Sequence, residues 1–145
     1  MVSVDIKWAA GHDFDHRFGR TPAWIGTPKN IIVSNVLNPT LSWALKNAVT
    51  DRLLQHEQGH FDLSEVYRRK LEQSLCEVCV TGSNGEAVKA ALDRALHAVA
   101  DPILIQAKAM YQRYDVETSY GRNEAEQARW NQLIETWLGQ PLTAP

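Results

Sequence analysis

The sequence predicts one α+β domain spanning residues 1–145, and three observations carry that prediction. Val2, Val4, Ile6 and Trp8 alternate with polar residues, the period of a half-buried strand. From Leu41 to Tyr67, apolar residues and two histidines recur at spacings of three and four, the period of a helix with one buried face. Further stretches with the helical period follow as far as Leu138, so short N-terminal strands precede three or four helices.

Each element has its own signal. Gly11 to Gly19 is polar and is expected to form a loop. Two short extended pieces follow, Ala23–Ile25 and Asn30–Val36, separated by a turn at Gly26-Thr27-Pro28. Asn38-Pro39-Thr40 opens a helix that Thr40 or Ser42 can cap. Its stripe runs through Leu41, Leu45, Val49, Leu53, His56, His60, Leu63 and Tyr67, and the helix reaches Leu75 or beyond. Thr81 to Gly85 reads as a loop, and Glu86 to Ala100 as a second helix with Val88, Leu92, Leu96 and Val99 on one face. Asp101-Pro102 starts a third helix reaching about Tyr111, because proline is better placed at a helix start than inside one. Tyr114 to Asn123 breaks the pattern as an ordered loop. The last helix places Trp130, Leu133, Ile134, Trp137 and Leu138 on one face and ends at Pro141. Trp130 and Trp137 are expected in the core.

Composition narrows the function classes. Hydrophobic residues make up 44% and charged residues 22%, which is a globular balance and not a disordered one. The net charge of -2 gives no basic face for nucleic acid, and no apolar run is long enough to span a membrane. No signal segment opens the chain, which fits a cytoplasmic protein or the mature part of an exported one. Cys76 and Cys79 form a CxxC pair. Two thiols supply half of a structural zinc site, and this pair closes a helical pattern instead of opening one. A local disulfide or two packed thiols is therefore expected in place of redox chemistry.

The segment that carries chemistry is His56-Glu57-Gln58-Gly59-His60, an HExxH motif. Residues four apart on a helix share a face, with Cβ atoms about 5–6 Å apart. Two imidazoles there can converge on one Zn²⁺ at about 2.0–2.1 Å. Glu57 is turned about 100° from His56, too far round to be a ligand but able to take a proton from a water at the metal. Gly59 costs helix propensity, which implies that something packs closely against it. The alternative is a pair of packed core histidines. Two histidines flanking a Glu on a core-facing stripe fit a metal better, since buried imidazoles need partners. A catalytic zinc takes a third protein ligand. His12, His16 and His97 are candidates, as are the carboxylates of Tyr114 to Gly121, a polar segment expected to close over the HExxH helix.

The run His56 to Asp62 resembles a bacterial family of secreted zinc-dependent proteases, domain of unknown function family 922. So does Tyr114-Asp115-Val116-Glu117-Thr118-Ser119-Tyr120-Gly121-Arg122-Asn123, with Gln127 and Trp130 after it. The similarity covers most of the chain, including the strand with Trp8. It implies a zincin-like fold in which short antiparallel strands pack on a long HExxH helix, with two or three further helices. It also implies a secreted or periplasmic location, bound Zn²⁺, and hydrolysis of a peptide or protein substrate. The family pattern has a His before the loop glycine where this chain has Tyr120. If that His is a zinc ligand in the family, this chain is a weak metal binder or a degenerate member; if it donates to the developing oxyanion, Tyr120 can do the same, and the second case is favoured. The segment Glu117 to Gly121 also resembles an Asp-x-x-Tyr-Gly element of the aspzincin proteases, in which an acid is a ligand. Asp115 and Glu117 therefore lead as third ligand, with the choice between them open. The expected enzyme is a zinc metallopeptidase with Glu57 as general base and no nucleic-acid or membrane partner. The alternative is a zinc-stabilised or degenerate member acting as a binding module.

Overall fold

The computed structural model describes residues 3–18, 23–38, 40, 42 and 49–145. Two long strands come first, β1 (Val4–Arg17) and β2 (Ala23–Leu37). Helix α1 (Asp51–Cys76), a short strand β3 (Val80–Gly82), helix α2 (Gly85–Glu117), helix α3 (Glu124–Gly139) and a 3₁₀ turn (Pro141–Thr143) complete the chain. The sheet has the order β1-β2-β3 and is antiparallel throughout, so the expected α+β class holds.

The strands are longer than the sequence pattern suggests. β1 runs through the polar stretch from Gly11 to Arg17, which was expected to be a loop, pairing residue by residue with β2 from Val4↔Leu37 to Arg17↔Ala23. His12, Phe14 and His16 alternate there with Asp13, Asp15 and Arg17, a period of two masked by the polar composition. Here backbone pairing carries the hairpin past the core. The expected turn at Gly26-Thr27-Pro28 is absent, and β2 is continuous, with Pro28 opposite His12. β3 pairs with β2 only over Trp24–Gly26. From Thr27 onward, among the described residues, β2 thus has a strand partner on one side alone, where a proline without an N–H is tolerated. The register slips between Ala9 and Gly11, and Asn30 on the facing strand takes a φ of 51°, as a bulge residue does. Val80–Gly82 forms β3, so the expected loop begins only after Gly82.

Helix α1 starts later than expected. Thr50 is its N-cap, accepting from the Leu53 N–H at 3.2 Å, and Asp51 provides a negative charge in the first turn. Thr40 and Ser42 do not cap it. The Ser42 hydroxyl instead donates to the Asn38 carbonyl at 2.7 Å and accepts from the Ser3 N–H. Val49 lies outside the helix, and the upstream stripe positions Leu41 and Leu45 fall outside the described residues. α2 is one helix of 33 residues, not two, with Pro102 inside it. Proline in a helix interior costs about 3 kcal/mol. Burial of Ala100, Ile103 and Ala107 on both sides of it outweighs that cost. α2 also continues through Glu117, so only Thr118 to Asn123 remains of the expected loop. Ser119, Tyr120 and Gly121 have successive φ values of 49°, 55° and 79° there, and Asn123 then caps α3.

The core lies between the three helices and the sheet. Leu63, Val66 and Leu71 of α1 are fully buried against Leu92 and Leu96 of α2 and Val33 of β2. Trp130 and Trp137 are 1% and 9% exposed, core residues as expected. Cys76 and Cys79 are exposed and unbonded, so neither the expected disulfide nor packed thiols form; α1 directs Leu75, not Cys76, inward. Among the described residues, no helix is long and apolar enough to cross a membrane.

Candidate metal centre

α1 holds His56 and His60 one turn apart on its inward side. His56 is 2% exposed, and the His60 side chain 12%. The last turn of α2 brings Asp115 onto both. Its Oδ1 lies 2.8 Å from His60 Nε2 and 3.1 Å from His56 Nε2. The three ligand atoms lie within 4.8 Å of one another, and no other group of this kind occurs among the described residues. Burial raises the Asp115 carboxyl, but the hydrogen bonds to His56 and His60 outweigh it and hold the group well below the usual carboxylate range. An ionised oxygen thus faces two imidazole nitrogens.

Gly59 is what admits the next layer. A Cβ at this position would run into the Tyr114 hydroxyl. With glycine there, that hydroxyl reaches the His56 carbonyl and donates to it at 3.0 Å. The Tyr114 ring stacks on the His56 ring with centroids 4.7 Å apart and planes 8° from parallel, and it meets His60 edge-on at 4.9 Å. Burial pushes the Tyr114 phenol up to about 12, so it remains a donor at neutral pH.

The chain after α2 folds back over His56. Thr118 Oγ1 donates to the Tyr114 carbonyl at 2.6 Å and sits 3.4 Å from His56 Nδ1. Gly121, at positive φ, lies so close that a Cβ would be 2.8 Å from His56 Cβ. The segment Asp115–Gly121 therefore closes over the HExxH helix as expected. From α3, Gln127 places Oε1 3.2 Å from His56 Nδ1 while its Nε2 donates to the Tyr114 hydroxyl at 2.7 Å and to Asn131 Oδ1 at 2.9 Å. A cleft of about 460 Å³ between the first turns of α1 and α3 is lined by Gln55, Gly121, Gln127 and Asn131, two of which, Gly121 and Gln127, pack against His56.

Of the two leading third-ligand candidates, the structure brings Asp115 to the histidines and not Glu117. Glu117 binds Arg113 at 2.6 Å, Arg129 at 2.5 Å and the Trp130 indole N–H at 2.9 Å, and the Arg113 hydrogen bond leads in holding its carboxyl below the ordinary value. The other histidines also lie elsewhere. His12 pairs with Asp93 at 2.6 Å, His16 packs on Trp24, and His97 packs on Trp8. Glu57 is half-buried beside His56, close enough to Tyr114 to disfavour ionisation of its phenol. The Tyr120 side chain is 61% exposed, while its N–H donates to the Asp115 carbonyl at 2.8 Å.

Tyr114, Thr118 and Gln127 are the residues to which sequence reasoning gave no role. Gln127 carried a readable signal, since it stands on the stripe of Trp130 and Ile134 at helical spacing, a polar residue on an apolar face that must find a partner. No curated protein and no solved structure matches the chain. A family described as bacterial protein of unknown function (DUF922) matches residues 38–122, a span that holds α1, α2 and with them His56, Glu57, His60 and Asp115. That span is more than half of the chain, and the protein belongs to the DUF922 family.

Proposed function

We propose that this chain is a zinc-dependent metallopeptidase, with Zn²⁺ held by His56, His60 and Asp115. The observation that carries the reading is the convergence of His56 Nε2, His60 Nε2 and Asp115 Oδ1 within 4.8 Å. Two imidazole nitrogens and one carboxylate oxygen are the donor set of a catalytic zinc with three protein ligands. The Asp115 side chain is 29% exposed, so the cluster is open to solvent on one side, as a reacting site needs. Zinc bound there supplies Lewis acidity, polarising a substrate carbonyl and bringing the pKa of water to about 7.

The chain's own groups supply the rest. Glu57 follows His56 on the same turn of α1 and is the proton acceptor, holding the proton on its carboxylate for delivery to the leaving amine. Tyr120 is the hydrogen-bond donor toward the oxyanion, reached by movement of an exposed phenol in from solvent. The substrate class is peptide or protein.

The test measures zinc content and turnover of denatured protein or a mixed peptide library. Glu57→Gln is expected to retain zinc and lose nearly all turnover. Tyr120→Phe is expected to retain zinc and lose roughly 10²–10³ in turnover. Protein purified without chelator that holds no zinc, and gains no thermal stability when zinc is added, overturns the reading.

A further inference from the structure

The hydrogen bonds around Gln127 fix an acceptor against one imidazole nitrogen of His56. The Tyr114 hydroxyl gives its one proton to the His56 carbonyl at 3.0 Å, so toward Gln127 it can only accept. The nitrogen of the Gln127 amide must then be the atom 2.7 Å from it, and the same nitrogen donates to Asn131 Oδ1 at 2.9 Å. That leaves the amide oxygen facing His56 Nδ1 at 3.2 Å. An acceptor there favours hydrogen on Nδ1. The ionised Asp115 also accepts from Nε2 in the metal-free site, so acceptors face both ring nitrogens, and a metal that takes the Nε2 lone pair would leave the hydrogen on Nδ1, toward Gln127.

We propose that Gln127 is a positioning residue that selects the Nδ1–H form of His56 and so presents Nε2 to the metal. The proposal rests on the zinc reading above. The surroundings make the selection rigid. Gln127 is 3% exposed and Thr118 is fully buried. Tyr114 is itself fixed by stacking on the His56 ring, and Gly59 leaves the space its hydroxyl occupies. Gln127 lies beyond the family match, so the site draws on α3 as well as on the two helices that carry the ligands.

Zinc affinity by chelator competition, with histidine ¹⁵N spectra, tests this. Gln127→Leu removes the acceptor and is expected to weaken zinc binding about 10–100-fold, the usual size for losing a partner of a ligating histidine. Gln127→Glu keeps an acceptor toward Nδ1 while losing both donors, and is expected to retain most of the affinity. A purely structural role predicts instead a loss in both variants, in step with their metal-free unfolding midpoints. Spectra of the zinc-loaded wild type should show His56 coordinated through Nε2 with a hydrogen on Nδ1. Coordination through Nδ1, or wild-type affinity in Gln127→Leu, overturns the proposal. If Gln127→Leu does not fold, the Glu variant and the wild-type spectra decide. A wild-type protein that takes up no zinc overturns the zinc reading. The share of His56 carrying hydrogen on Nδ1 in the metal-free protein, compared between wild type and Gln127→Leu where the ring is neutral, then decides the role of Gln127 separately, and a share that the substitution leaves unchanged rejects it.

Discussion

A single missing methyl group organises the centre. Gly59 is the one position in HExxH where a Cβ would strike the Tyr114 hydroxyl, and that hydroxyl joins α1, α2 and α3 through His56 and Gln127. Gly59→Ala should therefore destabilise the protein by about 1–3 kcal/mol, the cost of overpacking, despite the better helix propensity of alanine. Denaturant unfolding of the single variant and of Gly59→Ala with Tyr114→Phe checks the cause. Removing the hydroxyl should recover part of the loss, and strictly additive effects would rule out the contact. At this scale much of the centre was legible. His56, Glu57 and His60 announce themselves by spacing, and the helix penalty at Gly59 implied a close neighbour without saying which. Asp115 and Glu117 could not be separated while their segment read as a loop. Once α2 is known to continue through Glu117, residues two apart are turned about 200° around the axis, so only one of them can face α1.

The elements explain where sequence reasoning stopped. Pro102 divides α2 in sequence, but the helix is held from outside by burial that no local pattern reveals. The polar end of β1 does alternate, His12, Phe14 and His16 against Asp13, Asp15 and Arg17, but its polar composition reads as loop when the period is not counted. α3 was the most legible element, since its stripe is unbroken. Trp130 is 1% exposed, and its indole donates to Glu117. Trp130→Ala should cost about 3–5 kcal/mol by chemical unfolding. Unchanged stability would show that α3 packs through other residues. On α1, Glu65 accepts from Arg68 at 2.7 Å and Arg69 at 2.8 Å, and Asn35 of β2 donates to it at 3.0 Å. The Arg68 hydrogen bond leads in holding its carboxyl below the ordinary value, outweighing burial. The folded form therefore binds this proton less readily than the unfolded chain. The stabilisation is present above the ordinary glutamate pKa of about 4.3 and is lost as pH falls through the lower folded value. Unfolding midpoints measured from pH 6 down to pH 3 should fall less steeply for Glu65→Gln than for wild type, and parallel curves would exclude the contribution.

Across the whole molecule, the proposed ligands lie on two helices separated by β3 and most of α2. A metal bound by His56, His60 and Asp115 thus closes a long loop of chain and favours the folded state over the unfolded one. With free zinc at one hundred times its dissociation constant, the linkage is worth about 2.7 kcal/mol. The melting temperature should rise on adding zinc and fall again with chelator. A rise that persists in His60→Ala with Asp115→Ala would place the metal elsewhere.

The hairpin has a consequence for solubility. β1 is 14 residues long and pairs only with β2, so among the described residues its outer edge has no strand partner. An open edge of this length can recruit a strand from another copy and seed aggregation. Asp5, Lys7, Asp13, Asp15 and Arg17 line that strand, and the register slip at Ala9 to Gly11 interrupts its regularity. Charged side chains along an edge strand and a bulge beside it are features that disfavour the addition of a further strand. The stretch from Gly11 to Arg17 thus carries three of the five charges along the open edge, the part of β1 least suited to receive another strand.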